Sequence, residues 1–451
     1  MKKKHPMAAP VVVFALLCSL ILVPAAFATN GMNMEGYGPI ATGMGGASMA
    51  YDNGSAAVMN NPATLGLMPE GNRLDLAIGF LRPDITSSMP GMPDAKSSAD
   101  LFTMPAAGWI QKKGPMAYGI GVFAQGGMGA EYDANSFLAM GSGDKVRSEL
   151  GVGRAIIPFA YNVNKDLTVA ASLDYVWASL DLKMAVSGAD FVGLVTNCTG
   201  PACAGLGGFT GASWTRLDFS GGGDMNGAAT GTGFAGKLGA TYKVSPEFTI
   251  GAAYHSKTSL SDLETKDSGA TISAVAPFGV VGTGKIKVVD FQWPETYGIG
   301  VAWNASKELM LVFDYKRINW KAVMKDFKMT YEGPLVGAPG NTVNFALPQN
   351  WKDQNVFEIG AAYMFTKEFV GRIGVNIANN PIPDDFVNPL FPATEKNHYT
   401  IGAGYAFDKA NSVDFSFAYA PEVKVTNNSG AAPLTIAHSQ GNAQIMYSLR
   451  F

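Results

Sequence analysis

Charge is scarce in this chain: only 15% of its 451 residues are Asp, Glu, Lys or Arg, and the formal net charge is −3. Nucleic acids are therefore excluded as partners, because binding them needs a basic surface whose cations displace counterions. Cysteine is scarcer still, at three residues, and histidine stands at four. Beyond the first 28 residues no run of about 18 apolar residues occurs, which excludes a polytopic helical membrane protein. Disorder is excluded in turn, since 47% of the residues are hydrophobic and such a chain buries enough apolar surface to order itself. What stands in excess is 54 Gly, 26 Phe and 16 Tyr, a composition unlike that of ordinary soluble domains.

Residues 1–28 read as a secretory signal peptide: basic Lys2, Lys3 and Lys4, an apolar stretch over residues 11–23, then Ala26-Phe27-Ala28 as a small-x-small exit. Cleavage near Ala28 leaves Thr29 at the new terminus. A retained signal anchor is the alternative, and the short stretch with its alanine exit favours removal. Cys18 follows Leu17, where a lipoprotein signal wants a small residue, so lipidation is discounted. The mature chain keeps Cys198 and Cys203, separated by Thr199-Gly200-Pro201-Ala202. An exported chain meets an oxidising compartment, and a Gly-Pro turn brings close thiols together, so a disulfide between them is expected. Two thiolates without a nearby histidine make half of a zinc site, and neither metal nor other cofactor is expected.

From Arg73 onward apolar side chains fall on alternate positions, a period of two and not 3.6. Phe357, Ile359, Ala361, Tyr363 and Phe365 share one face, while Glu358, Gly360, Ala362 and Met364 share the other. Val413, Phe415, Phe417 and Tyr419 repeat the pattern, as do Ile445, Tyr447, Leu449 and Phe451. Such runs number about fourteen, with single strands predicted over 248–263, 284–303 and 309–326 among them. Tight turns join the members of each pair, as at residues 112–115 and 408–411, and long loops rich in Gly, Pro and Asn join the pairs. Short turns on one rim and long loops on the other predict an all-β, antiparallel outer-membrane barrel of about fourteen strands over residues 73–451.

The bilayer supplies the reason. Hydrocarbon offers no partner to backbone N–H and C=O groups, so strands cross it only in a sheet that closes on itself. Trp109, Tyr118, Phe248, Trp303 and Trp320 fall near strand ends, where amphipathic rings suit headgroup depth. A soluble sandwich or propeller also alternates, but strands of about ten or more residues are long for either.

Residues 29–72 do not alternate; they are rich in Gly and Met and contain Asn60-Asn61-Pro62-Ala63. A barrel this wide has a lumen that its own side chains do not fill, so a hatch formed by residues 29–72 is expected, with a flexible periplasmic tail as the alternative. The run from Gly43 to Ser48, followed by Asp52-Asn53-Gly54-Ser55-Ala56-Ala57-Val58-Met59-Asn60-Asn61-Pro62-Ala63, resembles the N-terminal signature of the FadL/TodX family of outer-membrane hydrophobic-compound transporters. In that family the hatch carries an Asn-Pro-Ala motif, which falls here on Asn61, Pro62 and Ala63. Tyr118-Gly119-Ile120-Gly121 leading to Gly126-Gly127-Met128-Gly129-Ala130-Glu131-Tyr132 is similar to the family's third strand. Phe313-Asp314-Tyr315 with Asn319-Trp320, and Asn380-Pro381-Ile382-Pro383-Asp384, also agree. The terminal Phe451 resembles the signal by which barrel-assembly machinery recognises its clients.

The resemblance implies a plugged barrel, taken as a monomer, that passes hydrophobic small molecules inward without an energy source, either long-chain fatty acids or aromatic hydrocarbons. It also implies contact with outer-membrane lipid and lipopolysaccharide. In the family an inward kink of the third strand opens a gap through which ligand leaves sideways into the membrane; mapped by motif, the kink falls at Gly126 and Gly127. Missing Cβ atoms permit the backbone to leave the ladder there, although an ordinary loop start would use the same residues. Lys316 and Arg317 are candidate contacts for an anionic headgroup, with lipopolysaccharide or solvent as their other surroundings.

Rival readings are weaker. The stretch from Gly231 to Lys237 fits a phosphate-loop spacing, but Leu238 replaces the hydroxyl that would hold magnesium and no helix follows. His255, His398 and His438 each offer a base to a barrel esterase, yet a triad is recognised by geometry that spacing does not supply. A nonspecific porin or adhesin is the other alternative, and a plug argues against an open pore. The chain is expected to be a channel and not an enzyme.

Overall fold

The structure is a computed structural model that describes residues 30–221 and 227–451. The signal peptide and its cleavage near Ala28 lie outside the described residues.

Along the chain come β1 (Gly71–Ser88), β2 (Ala95–Lys96), β3 (Phe102–Lys113), β4 (Met116–Tyr132), β5 (Val146–Asn162) and β6 (Leu167–Val186). The next loop carries β7 (Val195–Thr199) and β8 (Thr215–Phe219) before β9 (Ala229–Lys243) and β10 (Phe248–His255). Then β11 (Ser259–Leu260), β12 (Leu263–Glu264), β13 (Ala270–Ala274) and β14 (Gly279–Val289) precede β15 (Thr296–Asn304) and β16 (Leu309–Ile318). The hairpin of β17 (Asp326–Leu335) and β18 (Ala338–Pro348) leads to β19 (Gln354–Met364), β20 (Phe369–Ala378), β21 (Asn397–Ala406), β22 (Asn411–Asn427) and β23 (Leu434–Arg450).

All of them belong to one antiparallel sheet, and the sheet closes. Pairing runs β1–β3–β4–β5–β6–β9–β10–β15–β16–β19–β20–β21–β22–β23 and returns to β1, with Arg73 opposite Arg450 and Ser88 opposite Thr435. Closure leaves no edge in that ring, which is the condition hydrocarbon imposes. β8, β13, β14, β17, β18 and β7 pair in that order outward from the end of β6, forming a collar on the rim away from the short turns.

The expectation of about fourteen strands is corrected here, because the sheet holds 23. Only long alternating runs were legible as strands. Residues 248–263 break into β10, β11 and β12, and 284–303 divides into β14 and β15 around buried Phe291 and Trp293. The strand expected over 309–326 stops at Ile318, and β17 and β18 lie in what read as loop. Pieces of two to five residues are too short to display a period, and Gly and Pro interrupt the alternation of β17 and β18.

The ring is apolar outside and polar inside. Leu173 and Tyr175 are exposed on either side of fully buried Asp174, Phe313 is exposed beside buried Asp314, and Phe357 and Ile359 flank buried Glu358. A soluble sheet has the opposite sense, so this one is solvated by lipid. Strands such as β1, β6 and β23, of 18, 20 and 17 residues, rise well past an apolar band about 25 Å tall at roughly 3.3 Å per residue. Trp320, expected at headgroup depth, is fully buried instead, because the chain turns inward at Trp320–Ala322. Among the described residues no helix is long and apolar enough to cross a membrane.

Candidate functional site

The N-terminal segment, residues 30–68, lies inside the ring. Its helix Pro39–Thr42 packs on β21 and β22, its 3₁₀ turn Gly54–Val58 on β1 and β3, and its turn Pro62–Leu67 on β5, β6 and β9. Met44, Met49, Met59 and Leu65 are buried there, and unbranched thioethers suit the irregular space between this segment and a curved wall.

Polar ties hold the segment to the wall. Asn61 Oδ1 accepts the Ala63 N–H at 3.1 Å, capping a turn that Pro62 opens, while its Nδ2 donates to Met49 O at 2.7 Å and to Ala240 O of β9 at 3.2 Å. Asp314 Oδ2 accepts the N–H groups of Ser48 and Met49 at 2.6 and 2.9 Å, and Asp75 Oδ2 accepts that of Ser55 at 2.7 Å. Carboxylates accepting backbone N–H groups are strong, charge-assisted bonds.

Gly126 marks a break in β4. The register with β5 shifts between Ala124 and Gly126, as in a β-bulge, and the pairing of β3 with β4 ends at Ala106 opposite Phe123. Above that point β3 continues against β1, and β4 turns toward the N-terminal segment. Asn33 bridges Gly126, and Gly127 N donates to Met32 O at 3.3 Å. A Cβ on Gly126 would stand 2.2 Å from Met32 O, and one on Gly127 2.0 Å from Leu150 O, so only glycine fits either place without movement. The Tyr37 hydroxyl donates to Gln125 O at 2.6 Å. Burial pushes the Tyr37 phenol well above its ordinary range and keeps it a neutral donor.

A cavity of about 190 Å³ opens between this break and the N-terminal segment. Met32, Met104, Phe123, Met128, Leu150 and Trp177 supply much of its apolar lining, and Glu35, His438 and Asn442 part of its polar lining. Trp293 Nε1 donates to Asn33 Oδ1 at 2.8 Å, and Trp293, Trp320 and Trp351 stack edge to face behind it.

The other residues singled out from the sequence fall elsewhere. Lys316 turns inward, pairing Glu358 at 2.8 Å and donating to Gly46 O at 3.3 Å, and Arg317 pairs Asp353 at 2.8 Å. Cys198 and Cys203 are disulfide-bonded in the collar, Cys198 lying on β7. Phe451 is exposed and exchanges backbone hydrogen bonds with Asn72. His255 Nε2 donates to Asn60 O at 2.6 Å, His438 pairs Glu395 at 2.9 Å, and the three histidines stand on different strands. Sequence reading missed the inward charges: Arg154 and Lys237 both pair Asp174, and Asp314 and Asp75 bond the N-terminal segment. The signal was present, since each is a charge at an alternate position of an otherwise apolar strand.

A closed barrel with apolar outer face and occupied lumen defines an outer-membrane channel, and the cell outer membrane is its location. The chain belongs to the outer membrane protein transport protein family (OMPP1/FadL/TodX), which it matches over residues 15–448. It is similar to the P. putida toluene transporter TodX, with 32% identity, a TM-score of 0.82, and coverage of 92% of this chain and 99% of that one. The Ralstonia pickettii toluene transporter TbuX gives 33%, 0.76 and the same coverage. A long-chain fatty acid transport protein of Escherichia coli is 21% identical over 220 residues, 47% of either chain. The chain spans half or less of the length of the curated relatives it matches. The family transports hydrophobic compounds across the outer membrane.

Proposed function

We propose that this protein admits small apolar compounds of the size of single-ring aromatic hydrocarbons, and that they leave the lumen through the wall between β3 and β4. Residues 29–72 act as the hatch. One observation carries the reading: β3–β4 pairing stops at Ala106 and Phe123, and an apolar cavity lined by both strands lies above that point.

The physical case has two parts. An apolar cavity of about 150 Å³ takes up benzene, so one of about 190 Å³ suits a substituted ring better than an extended acyl chain. The way down is filled by a segment that Asp75, Asn61 and Asp314 fasten to the wall, whereas the side route delivers an oily solute to lipid without an aqueous crossing. The resemblance to two toluene transporters supports the same substrate class.

Replacing Gly126 and Gly127 together by valine tests the route. Toluene uptake per folded barrel in the outer membrane is expected to fall to the background rate of cells without the protein, the amount of folded barrel being measured alongside. Undiminished uptake would remove the side exit.

A further inference from the structure

We infer that the cavity beside the β4 break carries a polar subsite, built on Glu35, that selects ring compounds bearing a hydroxyl group. This deepens the reading above and rests on it.

Glu35 is fully buried and lines the cavity, yet its Oε1 has no hydrogen-bond partner. Its other oxygen is fixed. Gln440 Nε2 donates to Asn442 Oδ1 at 2.8 Å, and Asn442 Nδ2 donates to Glu35 Oε2 at 3.1 Å. All three residues share the cavity wall, so the relay orients the carboxyl from β23 and leaves one acceptor over. A buried oxygen without a donor is unfavourable, and protein interiors rarely tolerate one unless a bound molecule satisfies it.

The surroundings narrow the donor. Arg73 pairs Asp52, Arg154 and Lys237 pair Asp174, and Lys316 pairs Glu358, while Met32, Met34, Met104 and Phe123 make the wall neighbouring Glu35 apolar. An ammonium ligand would surrender its hydration to thioethers and a phenyl ring. A neutral hydroxyl on an aromatic ring loses far less and supplies the one donor wanted. The ligand class is therefore phenols, bound with the ring among the methionines and the hydroxyl toward Glu35. A site built to bond a hydroxyl discriminates against the analogue that lacks it much more sharply than an apolar pocket discriminates by size.

The test uses para-cresol and para-xylene, which differ by a hydroxyl in place of a methyl, binding to purified full-length protein in detergent. Relative to wild type, Glu35→Ala is expected to lower the cresol-to-xylene affinity ratio by about tenfold or more, with xylene affinity little changed. An unmoved ratio with normal xylene binding overturns this subsite and leaves the hydrocarbon reading standing. Failure of the wild-type protein to bind either compound overturns both. Because the variant can fail to assemble, wild-type crystals soaked with 4-bromophenol give a second measurement, in which anomalous scattering fixes the ring. The oxygen within hydrogen-bond distance of Glu35 Oε1 supports the subsite, and a hydroxyl pointing elsewhere overturns it.

Discussion

Asn33 of the N-terminal segment forms an antiparallel bridge with Gly126, the residue at which β4 breaks its register. The N-terminal segment and the break are therefore one hydrogen-bonded unit, in which Trp293 also donates to the Asn33 side chain, at 2.8 Å.

Asn33→Ala removes the acceptor of a buried indole N–H, a loss of roughly 1–3 kcal/mol in local stability. The expected result is faster hydrogen exchange at the Gly127 amide, which donates to Met32 O, with exchange in β20 and β21 unchanged. Equal exchange at Gly127 in both proteins would separate the plug from the break.

Deleting residues 30–65 is expected to leave a barrel that assembles, because the ring of pairings does not pass through them. It should conduct ions steadily in planar bilayers, where the full chain is expected to stay closed. A deletion variant as tight as wild type would show that something other than the hatch blocks the lumen.

Lys316 and Glu358 make a buried pair at 2.8 Å, the carboxyl side chain wholly buried and the ammonium side chain 13% exposed. Lys316→Ala removes the cation, leaving Asn376 Nδ2 at 3.3 Å as a donor to that carboxyl, and is expected to destabilise the barrel by about 3–5 kcal/mol. Adding Glu358→Gln should recover much of the loss, read as the denaturant midpoint in detergent. Strict additivity of the two changes would mean that the pair does not interact.

Cys198 and Cys203 close a short loop, five residues apart in sequence, and such a loop is worth roughly 2 kcal/mol of chain entropy. Cys198→Ser with Cys203→Ser is expected to speed proteolysis within residues 195–215 and to leave hydrocarbon uptake unchanged, since neither cysteine lines the cavity. A drop in uptake would tie the collar to transport.

How far these features could be read beforehand differs from one to the next. Alternation in β19, β22 and β23 told which side chains face lipid, because a period of two is a local property of the chain. The same alternation set Glu358 on the face opposite the apolar one, while Asp174 and Asp314 were passed over, and what they hold was out of reach: Asp314 meets Ser48 across 266 positions, and spacing says nothing at that range. The Gly126-Gly127 pair was legible by resemblance, and its bond to Met32 was not. Trp320 misled, since an aromatic residue at a strand end reads the same whether the next turn runs along the membrane or into the lumen. The collar was invisible because its pairings join short, Gly- and Pro-broken pieces from separate loops.

The most direct measurement of the central claim is the initial rate of toluene and palmitate uptake into cells with and without this protein, each compared with the Gly126→Val, Gly127→Val double variant. The account predicts that the protein accelerates toluene entry, that palmitate gains little, and that the double variant abolishes the gain. Toluene entering at one rate in all three strains would contradict it.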